Sequence, residues 1–240
     1  MRVPCHGEVR VAGLAARTAA RNGVVAGAPC DPPFPPKWTV KEYVTWSART
    51  AGHVLRDARA LAEQAIAEMK MFAIAGDRLA AASTQTRRST SIASALATGA
   101  DVILLEEPVT GLSDEAARHF ARIVLRALDK RPWVVFAARL PLESPFAMDA
   151  DEAVLVLGGS VVAQGAPAEL AARDHTYAVR LLGAADDFAR LATERGARVT
   201  GAGPERTVDL GQLAVSDLLR AAAEARATVL ELRPLAHAFA

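Results

Sequence analysis

Cysteine is scarce in this 240-residue chain. Cys5 and Cys30 are the two, with no C-x-x-C pair and no Cys/His cluster around them. That excludes a disulfide framework and a zinc site, and a reducing cytoplasm is the expected home. Excess charge of one sign is also missing. The 28 basic and 27 acidic residues nearly cancel, so no whole-molecule field draws nucleic acid or an anionic membrane surface. Long apolar runs are absent as well: Val102-Ile-Leu-Leu is typical, whereas a membrane span needs about 18 residues or more. The first seven residues, Met1 to Gly7, contain no apolar stretch of the kind a secretory signal uses. Lysine occurs only at Lys37, Lys41, Lys70 and Lys130, and none of the four precedes Ser or Thr.

What is present is apolar bulk. About half the residues, 51%, are hydrophobic, enough for one large core or a medium domain plus a small one. Glu8-Val-Arg-Val-Ala alternates with period two and predicts a short strand, and Gly23-Val-Val-Ala predicts a second. The second runs into Ala28–Pro36, where five prolines exclude regular structure. Thr39 is a good N-cap for a helix carrying Val40, Tyr43, Val44 and Trp46, and further helices are expected at 53–71 and 87–97. Val102-Ile-Leu-Leu reads as a fully buried strand ending in two carboxylates, followed by a helix over 114–128 and strands at 133–136 and 154–157. Strands alternating with helices predict a parallel sheet covered on both faces. After about residue 174 the order becomes strand, helix, strand, strand, helix, strand, the ferredoxin-like split unit.

From Gly7 to about Leu170 the order of these features resembles the ATP-binding subunits of ABC transporters, most like those that pair with export-type permeases. Asp101-Val-Ile-Leu-Leu-Glu-Glu-Pro-Val-Thr-Gly-Leu carries most of the resemblance, being similar to the Walker B strand and the D-loop after it. Thr39-Val-Lys-Glu-Tyr resembles the opening of the helical subdomain. Ser91-Ile-Ala-Ser-Ala-Leu-Ala resembles the helix after the signature sequence, and Val161–Leu170 the hairpin and helix that close the domain. The resemblance implies a metal role for Glu106 and a catalytic, water-polarising role for Glu107. Glu106 stands where the family has Asp, and its extra methylene displaces the carboxylate by roughly 1.5 Å. The D-loop position falls on Ser113, with Asp114 next. The signature position falls on Ala82 to Thr86, so Ser83, Thr84 and Gln85 are the nucleotide-facing candidates.

The same resemblance marks what is degraded. ATP phosphates are cradled by backbone N–H groups and a lysine in G-x-x-x-x-G-K-[ST], and these 240 residues hold no such pattern. Both signature glycines are replaced by residues with side chains. The Q-loop position falls on Gly27 or Ala28, and the switch histidine position on Ala138. The expected architecture is an α/β, P-loop-NTPase-like parallel sheet with a helical subdomain at about 38–97, N-terminally incomplete, spanning 1–173. A small ferredoxin-like α+β domain follows over 174–240. The expected function is that of a pseudo-ATPase partner or scaffold subunit of an export-type transporter, peripheral on the inner face of the cell membrane. Its expected partners are a membrane permease subunit and a second ATP-binding subunit or another copy of itself, with no nucleic acid. No cofactor is expected; ATP and magnesium enter only under the alternative, an N-terminally truncated but active ATPase. A free-standing interaction protein without a permease is the third reading.

His53, His119 and His175 have no ligand spacing and are assigned no role. Arg87-Arg88, in a hydroxyl-rich run, is read as a solvated helix start in preference to a phosphate site. Trp38, Tyr43 and Trp46 are either core or anchors of a docking surface.

Overall fold

The computed structural model describes residues 6–129, 131–157, 159–171 and 175–234. Cys5, Lys130 and the expected domain boundary at 173/174 lie outside them. The chain forms two compact units, one ending at Ala137 and one beginning at Ala138.

The first unit opens with a hairpin of two-residue strands, β1 (Arg10–Val11) and β2 (Leu14–Ala15). Ala12 and Gly13 turn between them with φ of 49° and 77°, the left-handed pair that matches strand twist in a tight hairpin. A short helix α1 (Ala16–Arg21) follows, then β3 (Val25–Ala28). β3, β4 (Val102–Glu106) and β5 (Trp133–Phe136) form a parallel sheet in that order. In β4, Ile103 and Leu105 are buried while Val102 and Leu104 are half-buried, so the expected fully buried strand alternates instead. Among the described residues β5 is an edge strand, and its Val134 and Phe136 are exposed, so the expected cover on both faces does not extend to it.

Three helices, α2 (Val40–Thr50), α3 (Leu55–Glu68) and α4 (Thr84–Ala97), pack together, and α4 also lies against β3 and β4. Every residue of α4 from Arg88 to Ala97 is buried, because Ser and Ala let neighbouring elements approach on all sides. The helix starts at Thr84, three residues before the expected Arg87, since Ser83 caps it. α5 (Asp114–Leu128) buries Phe120, Ile123, Val124 and Leu128 on one face, the 3.6-residue period that made it legible. α2 begins with a full capping box: the Thr39 hydroxyl accepts from Glu42 N–H at 3.2 Å, and Glu42 Oε2 accepts from Thr39 N–H at 2.8 Å. Thr39→Ala is expected to cost about 1 kcal/mol, read as a lower urea midpoint with an unchanged slope.

The second unit holds α6 (Pro145–Asp149), the hairpin β6 (Ala153–Leu157) and β7 (Ser160–Gly165), and α7 (Pro167–Ala171). Then come β8 (Thr176–Leu182), α8 (Ala185–Glu194), β9 (Arg198–Thr200), β10 (Glu205–Asp209), α9 (Val215–Glu224) and β11 (Thr228–Pro234). The sheet order is β11-β8-β10-β9, all neighbours antiparallel, which is the split βαββαβ arrangement expected from the sequence. Phe188 and Ala192 from α8 and Leu218, Ala221 and Ala222 from α9 pack with Val179, Leu181 and Val208 of the sheet. Among the described residues no helix is long and apolar enough to cross a membrane.

Candidate functional site

In a parallel sheet the strands all release their chains at one end, and loops there collect polar groups that a covered sheet cannot hold. At that end β4 delivers Glu106 and Glu107. Glu106 is exposed, and its Oε2 accepts from Cys30 N–H, just past β3, at 3.4 Å. Glu107 adopts φ +48°, a left-handed conformation that costs a non-glycine residue about 1 kcal/mol. Its N–H donates to Phe136 O at the end of β5 (2.8 Å), and its carboxylate accepts from the Thr110 hydroxyl. Both bonds hold the strained turn, and the second engages one oxygen of the carboxylate that the resemblance assigns to catalysis.

The loops at this end are fastened by α4. Arg88 is 4% exposed, with Nη1 donating to Thr110 O at 2.6 Å and Nη2 to Cys30 Sγ at 3.3 Å; its Nε has no partner among the described residues. Ser91 Oγ donates to Pro29 O at 2.9 Å. One helix thus ties the loop after β3 to the loop after β4. Arg87, one residue earlier, points elsewhere: it pairs with Asp31 at 2.8 Å and sits 4.9 Å over the Phe34 ring. The expected solvated helix start therefore fails at Arg88, whose guanidinium is a buried tie between loops.

Ser83, Thr84 and Gln85 lie at the head of α4. Ser83 is the N-cap, its Oγ accepting from Thr86 N–H at 3.1 Å and contacting Thr86 Oγ1 at 3.0 Å. Ser113 plays the same part for α5, accepting from Ala116 N–H at 3.4 Å, and Asp114 is the first helical residue, where its charge suits the helix dipole. No three His, Cys, Asp or Glu side chains gather into a cation site among the described residues. His53 Nε2 bonds Thr98 O at 2.8 Å, a structural contact, and His119 and His175 are exposed.

No family model matches the chain. Over 175 residues it is 30% identical to a protein of Streptomyces avermitilis named as an ABC transporter ATP-binding protein; the match covers 70% of this chain and 64% of that one. The chain resembles the ABC transporter ATP-binding proteins in sequence and shares their fold. Solved structures bear out the fold. That of cbiO1 from Clostridium perfringens, part of the ABC transporter complex cbiONQ, superposes with a TM-score of 0.60 at 16% identity, over 70% of this chain and 69% of that one. An ATP-binding subunit of another ABC transporter superposes with a TM-score of 0.56 at 15% identity, over 93% of this chain and 78% of that one. The fold is therefore that of the P-loop NTPases. The chain spans just under two thirds of the length of its Streptomyces relative. In this core, the acidic pair ends the middle of the three parallel strands, and Ser83, Thr84 and Gln85 begin the helix that fastens the strand-end loops.

Arg88 and Cys30 are the members of this site that sequence reasoning missed. The available signal was an arginine five residues after an N-cap serine and followed by an unbroken Ser/Thr/Ala/Ile/Leu run, a pattern of burial on all sides.

Proposed function

We propose that this chain is a non-hydrolysing partner or scaffold subunit of an export-type ABC transporter, held at the inner membrane face by a permease. The observation that carries the reading is the head of α4. A signature sequence serves ATP by letting its backbone N–H groups approach the γ-phosphate, for which glycine is suited. Here Thr84 and Gln85 bring side chains to that position, and the Ser83 hydroxyl is turned back to cap its own helix. The phosphate-binding lysine loop is not among these 240 residues, and Ala138 after β5 has no group to sense a phosphate. Glu106 and Glu107 are donors that fit a magnesium ion only when phosphate oxygens complete its shell.

The partner role is supported by the helical layer. A groove of about 530 Å³ runs beside α2 and α3, lined by Trp38, Trp46, Leu55 and Arg59. Trp46 is 46% exposed and Trp38 half-buried, their rings edge to face at 5.7 Å. Tryptophan and arginine around an apolar groove are the residues that anchor protein interfaces, and a permease segment is the partner proposed for them. A second ATP-binding subunit or another copy of the chain completes the assembly in this reading.

The test is equilibrium binding of a fluorescent ATP analogue to the 240-residue chain in magnesium, competed with unlabelled ATP. No competable binding is expected up to about 1 mM nucleotide. Micromolar, competable binding would overturn the reading, because the phosphates would then be held by residues with no assigned role.

A further inference from the structure

Among the described residues β3 is paired on one side only. Val102 N–H donates to Val24 O at 3.0 Å, and Val25 to Ala28 run in register with Val102 to Leu105. In a parallel ladder alternate residues bond to the same neighbour, so residues 24, 26 and 28 face β4 while the backbone groups of Val25 and Gly27 turn outward. That outward edge borders a cleft of about 450 Å³ between the end of α1, β3, α2 and α4, within the first unit.

Three features of the cleft agree on what would fill it. Gly27 has no heavy atom within 4 Å of where a Cβ would lie, so the cleft reaches the strand backbone itself. A glycine inside a strand commonly marks a place where another backbone comes close. Four lining hydroxyls, Ser47, Thr50, Ser91 and Thr98, already donate to protein carbonyls and present only acceptor lone pairs. Ser94, 8% exposed, is different: its Oγ has no hydrogen-bond partner among the described residues, which leaves a buried donor unspent. The lining contains no carboxylate; its one charged side chain is Arg21, from the end of α1, and burial pushes the Tyr43 hydroxyl above its ordinary range. An occupant that alternates N–H and C=O at the strand repeat meets both the strand edge and the Ser94 hydroxyl.

We propose that this cleft binds an extended peptide segment, which adds to β3 as a further strand, pairs its backbone with Val25 and Gly27, and accepts the Ser94 hydroxyl proton on a carbonyl. Strand addition draws its affinity from main-chain bonds and tolerates varied sequence, so short synthetic peptides suffice as probes. The probes are acetylated, amidated hexapeptides of alternating Thr and Val, with each position in turn exchanged for Ala, Leu, Arg or Glu. The readouts are saturable binding and slowed hydrogen exchange at the Gly27 amide. Gly27→Pro deletes the outward donor while leaving the β4 ladder intact, since that N–H faces away from β4. It is expected to weaken binding about tenfold, and Ser94→Ala about three- to tenfold. If Gly27→Pro does not fold, Ser94→Ala decides alone. The proposal is overturned if no probe slows Gly27 exchange at about 1 mM, if sorbitol slows it equally well, or if binding is unchanged in the folded variants.

Discussion

Phe188→Ala is expected to destabilise the second unit by about 4 kcal/mol, the range for removing a fully buried aromatic side chain. Phe188 is 0% exposed and packs in the same cluster as Leu181, Val208 and Leu218, so its ring joins α8 to the sheet and to α9. The second unit runs from Ala138 to Ala240, about 100 residues, and domains of that size hold only about 5–15 kcal/mol of stability in all. A loss of this size therefore removes a large share of it. Hydrogen exchange resolved by residue checks the outcome: amides of β8 and β10 should lose their protection while those of β4, in the first unit, keep theirs. Equal loss in β4 would mean that the two units unfold as one.

Arg88→Ala should destabilise the first unit by about 3 kcal/mol. Two charge-assisted bonds vanish, to Thr110 O and Cys30 Sγ, and the space of a buried guanidinium is left empty. Arg88→Met separates these contributions. No carboxylate lies within ion-pairing distance of Arg88 among the described residues, so the guanidinium has been desolvated without a counter-ion. Filling the same space with an uncharged chain recovers that cost, and a loss of only about 1 kcal/mol is expected. Arg88→Lys should resemble Ala more than Met, since one ammonium cannot span both acceptors. Urea midpoints of the three variants test the order. If Met proves as damaging as Ala, the bonds to Thr110 and Cys30 matter and the packing does not.

Helix α5 and strand β5 were legible residue for residue, because a strong apolar stripe and a Ser113 cap fix the first, and Pro132 with β-branched residues fixes the second. The order of the last six elements was legible for a related reason: each is short, differently patterned and separated by glycine or charged turns. Helix α1 was not. Ala-Arg-Thr-Ala-Ala-Arg has neither an apolar stripe nor a capping side chain, and Ala15 precedes it without a side-chain bond. The alternation over 8–12 was read as one strand, whereas Ala12 enters the left-handed region and folds it into a hairpin, a choice alanine's side chain gives no sign of. At the site, the two carboxylates announced themselves by following an apolar run. Arg88 did not, because adjacent residues on a helix point about 100° apart, and composition alone does not say which of Arg87 and Arg88 turns inward.

The placement of β11 bears on how the chain emerges during synthesis. β8 begins the four-stranded sheet, yet one of its two flanks is filled by β11, the last strand, whose Val229 to Pro234 lie opposite Leu181 to Tyr177. A nascent chain therefore carries β8 with an open flank until the final residues of the sheet clear the ribosome, and only then can that sheet close. The helical layer of α2, α3 and α4, built from elements that follow one another closely, has no such delay. The interval between the two is when the second unit most needs a chaperone, or a fast ribosome.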